Sequence, residues 1–204
     1  MSLASGKRRG EVYSWTFKSL RYKPHWKEVT ISPSPAFLAK NQLASDGPDL
    51  IKPVVIPALK PFLSPDLTED MTLCPIRALR YYLDRTSSSR KGKNLLFISF
   101  KEGYEKDIQR STISSWIKQT VILAYQSSKT DSKDLHIRAH DVRSMSASLA
   151  FKGGVSLEQI LGSCFWKSHN TFTSFYLKDV SWQSSDQSDY KLGPVVSAQH
   201  VVNF

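Results

Sequence analysis

His140-Asp141-Val142-Arg143 sets an imidazole and a guanidinium three residues apart, with Trp166 and Tyr176 following on the next apolar stretches. In a helix that spacing puts both side chains on one face, so the two can address a single anion. A second arginine lies at the other end of the chain, in Ser5-Gly6-Lys7-Arg8-Arg9-Gly10-Glu11. Two arginines, a histidine and a late tyrosine, without an acidic metal cluster, suit attack of a phenol on a phosphodiester. The arginines would hold the phosphate, the histidine would bond its oxygen, and the tyrosine would become covalently linked. A satisfied core histidine, and an aromatic packing stripe through Phe172 and Tyr176, are the competing readings of the same residues.

The composition allows this chemistry. At 204 residues and 40% apolar content, with five tryptophans, the chain can bury a core, as one domain or two small ones. A net charge of +10 favours a polyanionic partner. The basic residues are spread out: Lys7 to Arg9, then Lys18, Arg21, Lys23 and Lys27, then Arg90 to Lys93. That distribution fits a folded surface with several phosphate contacts better than a basic tail. Cys74 and Cys164 stand far apart without CxxC spacing, which argues against a disulfide scaffold or a zinc site. No apolar run reaches the length of a membrane span, and Met1 to Gly10 lacks the apolar core of a secretory signal. The expected location is intracellular and nuclear, with no membrane, metal or cofactor involved.

The patterning predicts a mainly α chain with a small antiparallel β-sheet near the N-terminus, an α+β class. A helix capped by Ser5 is expected over about Lys7 to Phe17, with Val12 and Trp15 inward. Glu28 to Ile31 and Val54 to Ile56 read as strands, with Ala36 to Gln42 as a hairpin partner or turn. Pro75 opens a helix whose apolar face is Ile76, Leu79, Tyr82 and Leu83. Leu95 to Phe100 reads as a short buried extended segment, and Ile113 to Ala124 has helical period. The His140 helix should turn Val142, Met145, Leu149 and Ala150 inward and stop at Gly153-Gly154. Ser156 and Ser168 each have the position of a helix cap. After Gln183 the chain turns polar, and 184–204 is expected to be a loose tail or docking arm.

In this order the residues resemble the catalytic domain of the tyrosine recombinases, the phage-integrase family. They look closest to the branch carried by DIRS-like retrotransposons. Arg8 with Glu11 three residues on resembles the family's first box, and His140-Asp141-Val142-Arg143 its second, His-x-x-Arg. Phe165-Trp166 occupies the place of the family's histidine or tryptophan, and Tyr176 that of the nucleophile. Lys40, in Phe37-Leu38-Ala39-Lys40-Asn41-Gln42, lies where the family keeps its catalytic lysine, although Lys23 or Lys27 could take that place. Arg8 is singled out over Lys7 and Arg9 because Glu11 stands one helical turn later and would fix its guanidinium. Tyr176 follows Trp166 by ten residues, where many phage and bacterial members have nine, the position held here by Phe175.

The resemblance implies a catalytic domain over residues 1–183, without the family's separate N-terminal DNA-binding domain. It implies cleavage and rejoining of double-stranded DNA through a 3′-phosphotyrosyl link, with self-association on DNA. Arg8, His140, Arg143 and Trp166 would surround the phosphate, Lys40 would protonate the leaving oxygen, and Tyr176 would attack. A free phenol ionises only near pH ~10, so the arginines would have to stabilise its anionic character. Because bond energy is conserved in the covalent link, no metal or nucleotide is required. An inactive DNA-binding remnant and a type IB topoisomerase-like activity are the alternatives.

Overall fold

The computed structural model describes residues 1–38, 53–58, 74–99, 107–127, 137–164, 166 and 168–176. They form a mixed fold: seven α-helices and, near the N-terminus, a three-stranded antiparallel sheet. Helices α1 (Ser2–Ser5) and α2 (Arg9–Ser14) precede strands β1 (Arg21–Tyr22), β2 (Glu28–Ile31) and β3 (Val54–Pro57). Helices α3 (Pro75–Arg85), α4 (Arg110–Ser127), α5 (Asp141–Lys152), α6 (Leu157–Cys164) and α7 (His169–Phe175) follow.

The sheet runs β1-β2-β3, with Val29 opposite Ile56 and Ile31 opposite Val54. Alternation buries these four residues on one face, as the two-residue period of a half-buried strand requires. They join Val12, Trp15, Ile76, Leu79 and Leu96 in the first of two apolar clusters. Pro75 occupies the first turn of α3, where no amide hydrogen is needed, and Ile76, Leu79 and Leu83 are the buried stripe. A second cluster gathers Ala147, Ala150, Ile160, Leu161, Trp166 and Phe172 from α5, α6 and the segment around α7.

Three local expectations are corrected. The helix expected over about Lys7 to Phe17 shortens to α2, and an unexpected α1 precedes it, ended by Gly6 at φ 60° in the left-handed conformation that glycine adopts cheaply. Arg8, not Ser5, is then the N-cap of α2, and the Glu11 carboxylate accepts its backbone N–H at 2.8 Å. Beyond Ser14 the chain is extended, with Trp15 bridged to Pro33 and Thr16 to Leu95. In α5 the buried face is Arg143, Ser144, Ser146, Ala147, Ser148 and Ala150, whereas Met145 is 40% exposed. Small residues let α5 approach α1 closely: a side chain at Gly6 would meet Ser146 Oγ at 3.2 Å. Val142 and Met145 instead line an apolar hollow of about 650 Å³ shared with Ile113 and Trp116 of α4.

The Ser156 cap is present, reciprocated by Gln159 in both directions at 3.3 Å, and α6 runs three residues past Leu161. Ala39 to Gln42, Lys40 among them, and everything after Tyr176 lie outside the described residues.

Among the described residues Trp15 is the largest fully buried side chain, 1% exposed, and its carbonyl accepts the Leu96 amide at 2.8 Å. Trp15→Ala is expected to cost about 3–5 kcal/mol, because the sheet and α3 close only partly over the cavity. Urea unfolding would check this; a loss under about 1 kcal/mol would mean that the first cluster does not depend on this ring.

Candidate active site

The turn before α2 and the N-terminal end of α5 face each other across a concavity of about 700 Å³. Its walls hold Lys7, Arg8, Arg9 and Glu11 from the chain's start, Arg110 and Ser114 from α4, and Arg138, His140 and Arg143 from around α5. Tyr176 closes one side, and Phe37 and Leu38 stand at the rim. Cations therefore dominate a partly enclosed space, the arrangement that concentrates an anion.

At its centre His140 Nε2 lies 2.9 Å from Tyr176 Oη, a hydrogen bond whose direction depends on the imidazole tautomer. The Tyr176 ring also packs on Trp166, centroids 4.3 Å apart, and Trp166 is buried. The position of Tyr176 is fixed by its backbone. Its N–H donates to Phe172 O at 2.9 Å, and its carbonyl accepts Ser148 Oγ at 2.9 Å. Burial, then the positive charges of Arg143 and Arg8, push the His140 pKa below its ordinary value. At neutral pH the imidazole is therefore uncharged and has one nitrogen free to accept a proton.

Arg143 lies deeper. It is 2% exposed and threads between the start of the chain and the end of α6. Nη1 donates to Gly6 O at 2.9 Å and lies 3.5 Å from Glu11 Oε2, while Nη2 donates to Cys164 O. Its guanidinium stacks over Trp166, with Cζ 4.7 Å from the ring centroid. His140 and Arg143 share a face as the spacing predicts, but one reaches the opening and the other the interior. Two buried donors, Arg143 Nε and Trp166 Nε1, have no hydrogen-bond partner among the described residues. Such donors are rare in folded proteins because each forgoes its bond to water.

The three adjacent cations at the start divide their work. Lys7 is buried, and its ammonium donates to Ser163 O at 2.8 Å, so Lys7 and Arg143 together satisfy the last carbonyls of α6. Burial draws the Lys7 pKa down to about 8, against the opposing pull of Glu11. Arg9 is exposed and donates to Ser114 Oγ at 2.9 Å. The Arg8 guanidinium is half open, 3.9 Å from Glu11. Glu11 holds the Arg8 backbone more closely than its side chain.

No family model, curated protein or solved structure matches this chain. The site therefore stands on its own geometry. Arg8, Glu11, His140, Arg143, Trp166 and Tyr176, drawn from both ends of the sequence, meet at one place, although Trp166 lies behind Tyr176 and Arg143. Lys23 and Lys27 do not line the concavity. Three of its arginines were not legible as site residues: Arg9, Arg110 and Arg138. Arg138 had a signal, standing two residues before His140, where it pairs with Asp141 at 3.3 Å. Arg110 had none, because α4 reaches the site through long-range packing, on α2 among others.

Proposed function

We propose that this chain is a tyrosine recombinase catalytic domain that cuts and rejoins DNA strands, with Tyr176 as the nucleophile. The observation that carries this reading is the 2.9 Å approach of Tyr176 Oη to His140 Nε2, inside a concavity walled by arginines. With its hydrogen on Nδ1, the neutral His140 accepts the phenolic proton through Nε2 as Oη attacks phosphorus. The Oη–P bond forms and the P–O5′ bond breaks, leaving a 3′-phosphotyrosyl link. Arg8 and the exposed arginines hold the non-bridging oxygens. Arg143 Nε and Trp166 Nε1 are closed off from the concavity and reach that charge only after the side chains around them move. The departing 5′-oxygen takes a proton from Lys40, the role implied by the resemblance; Leu38, two residues before it, stands at the rim. A 5′-hydroxyl of another strand then attacks phosphorus, passing its proton to the now neutral Lys40. The P–O5′ bond forms, the P–Oη bond breaks and Tyr176 takes its proton back from His140, with self-association on DNA supplying that strand. In this reading the chain works in the nucleus on retroelement DNA.

The test is a duplex nicked close to the scissile phosphate, so that the 5′-hydroxyl fragment diffuses away. A covalent protein–DNA adduct surviving denaturing electrophoresis is expected. Its absence at every salt concentration, with DNA binding intact, would defeat the reading. Strand-exchanged rather than merely relaxed products would separate recombination from topoisomerase-like resealing.

One observation favours the second reading, a DNA-holding domain that does not cleave. Both Arg143 terminal nitrogens are bonded to backbone carbonyls, so they reach a phosphate only after those bonds break.

The lowered His140 pKa gives the pH dependence its sign. The proton-accepting imidazole is present at pH 7 and disappears only as pH falls through a value below the usual ~6.5. Adduct formation should therefore fall on the acid side with its inflection below ~6.5, and there drop about tenfold per pH unit. A single-turnover profile already falling above pH 7 would remove His140 from the proton transfer.

A further inference from the structure

The turn between β1 and β2 carries strain that the site does not use. His25 (φ 59°) and Trp26 (φ 55°) are consecutive non-glycine residues in the left-handed region. Asn and Gly fill such turns because a bulky side chain there crowds the backbone. Here a histidine and a tryptophan are held in place by their surroundings. The Trp26 amide donates to Lys23 O at 3.0 Å, and the Lys23 amide donates to Glu28 O at 2.9 Å. Persisting strain of this kind collects at functional sites.

The conformation presents an aromatic platform. The Tyr22 ring lies flat on Trp26, centroids 4.6 Å apart and planes 3° from parallel. Trp26 packs against the first apolar cluster, and Arg80 of α3 stands over its ring at 5.8 Å. Tyr22, by contrast, is 60% exposed. One ring is thus anchored and the other is offered to solvent, ordered in advance. In the same stretch of chain Arg21, His25 and Lys27 are exposed; Arg21 Nη1 donates to Lys18 O at 2.6 Å and to Leu20 O at 3.0 Å, and the Lys23 ammonium is paired with Glu28 at 2.9 Å.

We propose that Tyr22 and Trp26 form a stacking site for an unpaired nucleobase of single-stranded DNA, with Arg21 and Lys27 on the flanking phosphates. A flat ring lying open beside cations is the recognition chemistry of single strands: every base has a π-face, and the backbone supplies the charge. In a paired duplex the bases are already stacked on one another and offer no free face. The inference rests on DNA as the substrate and is independent of Tyr176 chemistry. It adds to the concavity, which grips phosphate, a second site that recognises a base.

Fluorescence anisotropy with two probes of equal charge tests it: an oligothymidylate of about twenty nucleotides and an abasic strand of the same length. The full chain should bind the oligothymidylate about 5- to 150-fold more tightly, the span of one stacked base. Tyr22→Leu should bring that ratio close to one without changing abasic-strand affinity more than twofold, and Tyr22→Phe should preserve the ratio. Equal binding of both probes by the wild type, or a ratio untouched by Tyr22→Leu, would overturn the proposal. So would an equal loss on both probes, which would mark Tyr22 as structural. Adduct formation on the nicked duplex should persist in Tyr22→Leu. A base preference without any wild-type adduct would leave this site standing and defeat only the cleavage reading.

Discussion

Tyr176→Phe is expected to abolish the covalent protein–DNA adduct completely while DNA affinity changes by no more than a few-fold. The substitution removes one oxygen and keeps the ring that packs on Trp166 at 4.3 Å. The Tyr176 backbone bonds to Phe172 and Ser148 do not involve the hydroxyl, so the chain path survives. The hydroxyl's bond to His140 disappears with the oxygen, an exposed hydrogen bond worth about 0.5–1.5 kcal/mol at most. In the proposed reading binding rests on the arginines of the concavity, and it should remain steeply salt-dependent in wild type and variant alike. A chemical step without a nucleophile has no such reserve, because nothing replaces the bond Oη would form. Denaturing electrophoresis of single-turnover reactions reads the difference. An adduct that persists in Tyr176→Phe would assign the nucleophile to another residue. Tyr190 is the next tyrosine along the chain, outside the described residues.

The meeting of the two ends of the chain was legible because chemistry selected the residues. Only a few side-chain types hold a phosphate or attack it, and those types recur at readable intervals. Strands β2 and β3 and helix α3 were legible for a different reason: alternation, helical period and Pro75 all act within a short window. What the sequence did not show was set by packing over longer distances. The inward face of α5 was misjudged because hydrophobicity ranks Met145 and Val142 above serine. The packing of α1 on α5 instead selects small side chains, and Gly6 beside Ser146 makes that closeness necessary. α1 was missed because Gly6 read as part of a motif rather than as a helix terminator, and α2 is shorter than its period suggested because Trp15 turns extended. β1, two residues long and exposed, carries no pattern of its own; it exists because Arg21 and Tyr22 pair with Thr30 and Val29. The depth of Arg143 was hidden too, since three-residue spacing fixes a face but not how far along that face solvent reaches.

That depth changes what an arginine substitution can test. Arg143→Ala is expected to lose both the adduct and much of the fold, by about 3–5 kcal/mol, the range for removing one partner of a buried charge pair. The guanidinium links Gly6 O, Glu11 and Cys164 O, and so joins the start of the chain to α5 and the end of α6. Its removal leaves two carbonyls without their donor, a carboxylate in a low-dielectric setting, and an empty space beneath Trp166. Against a total stability of order 5–15 kcal/mol, such a loss populates the unfolded chain near body temperature. Arg143→Lys keeps the charge but gives up the planar fork that reaches separate acceptors, so its stability should fall between wild type and alanine. Denaturant unfolding and adduct trapping, measured on the same preparations, separate the two roles. If Arg143→Ala unfolds at the wild-type midpoint yet forms no adduct, Arg143 acts only on the phosphate and the inward bonds are incidental. If Arg143→Lys recovers stability without recovering the adduct, the guanidinium serves chemistry as well as structure. Should it recover both, charge in the interior is sufficient, and the half-buried Arg8 is left as the residue that would grip the phosphate.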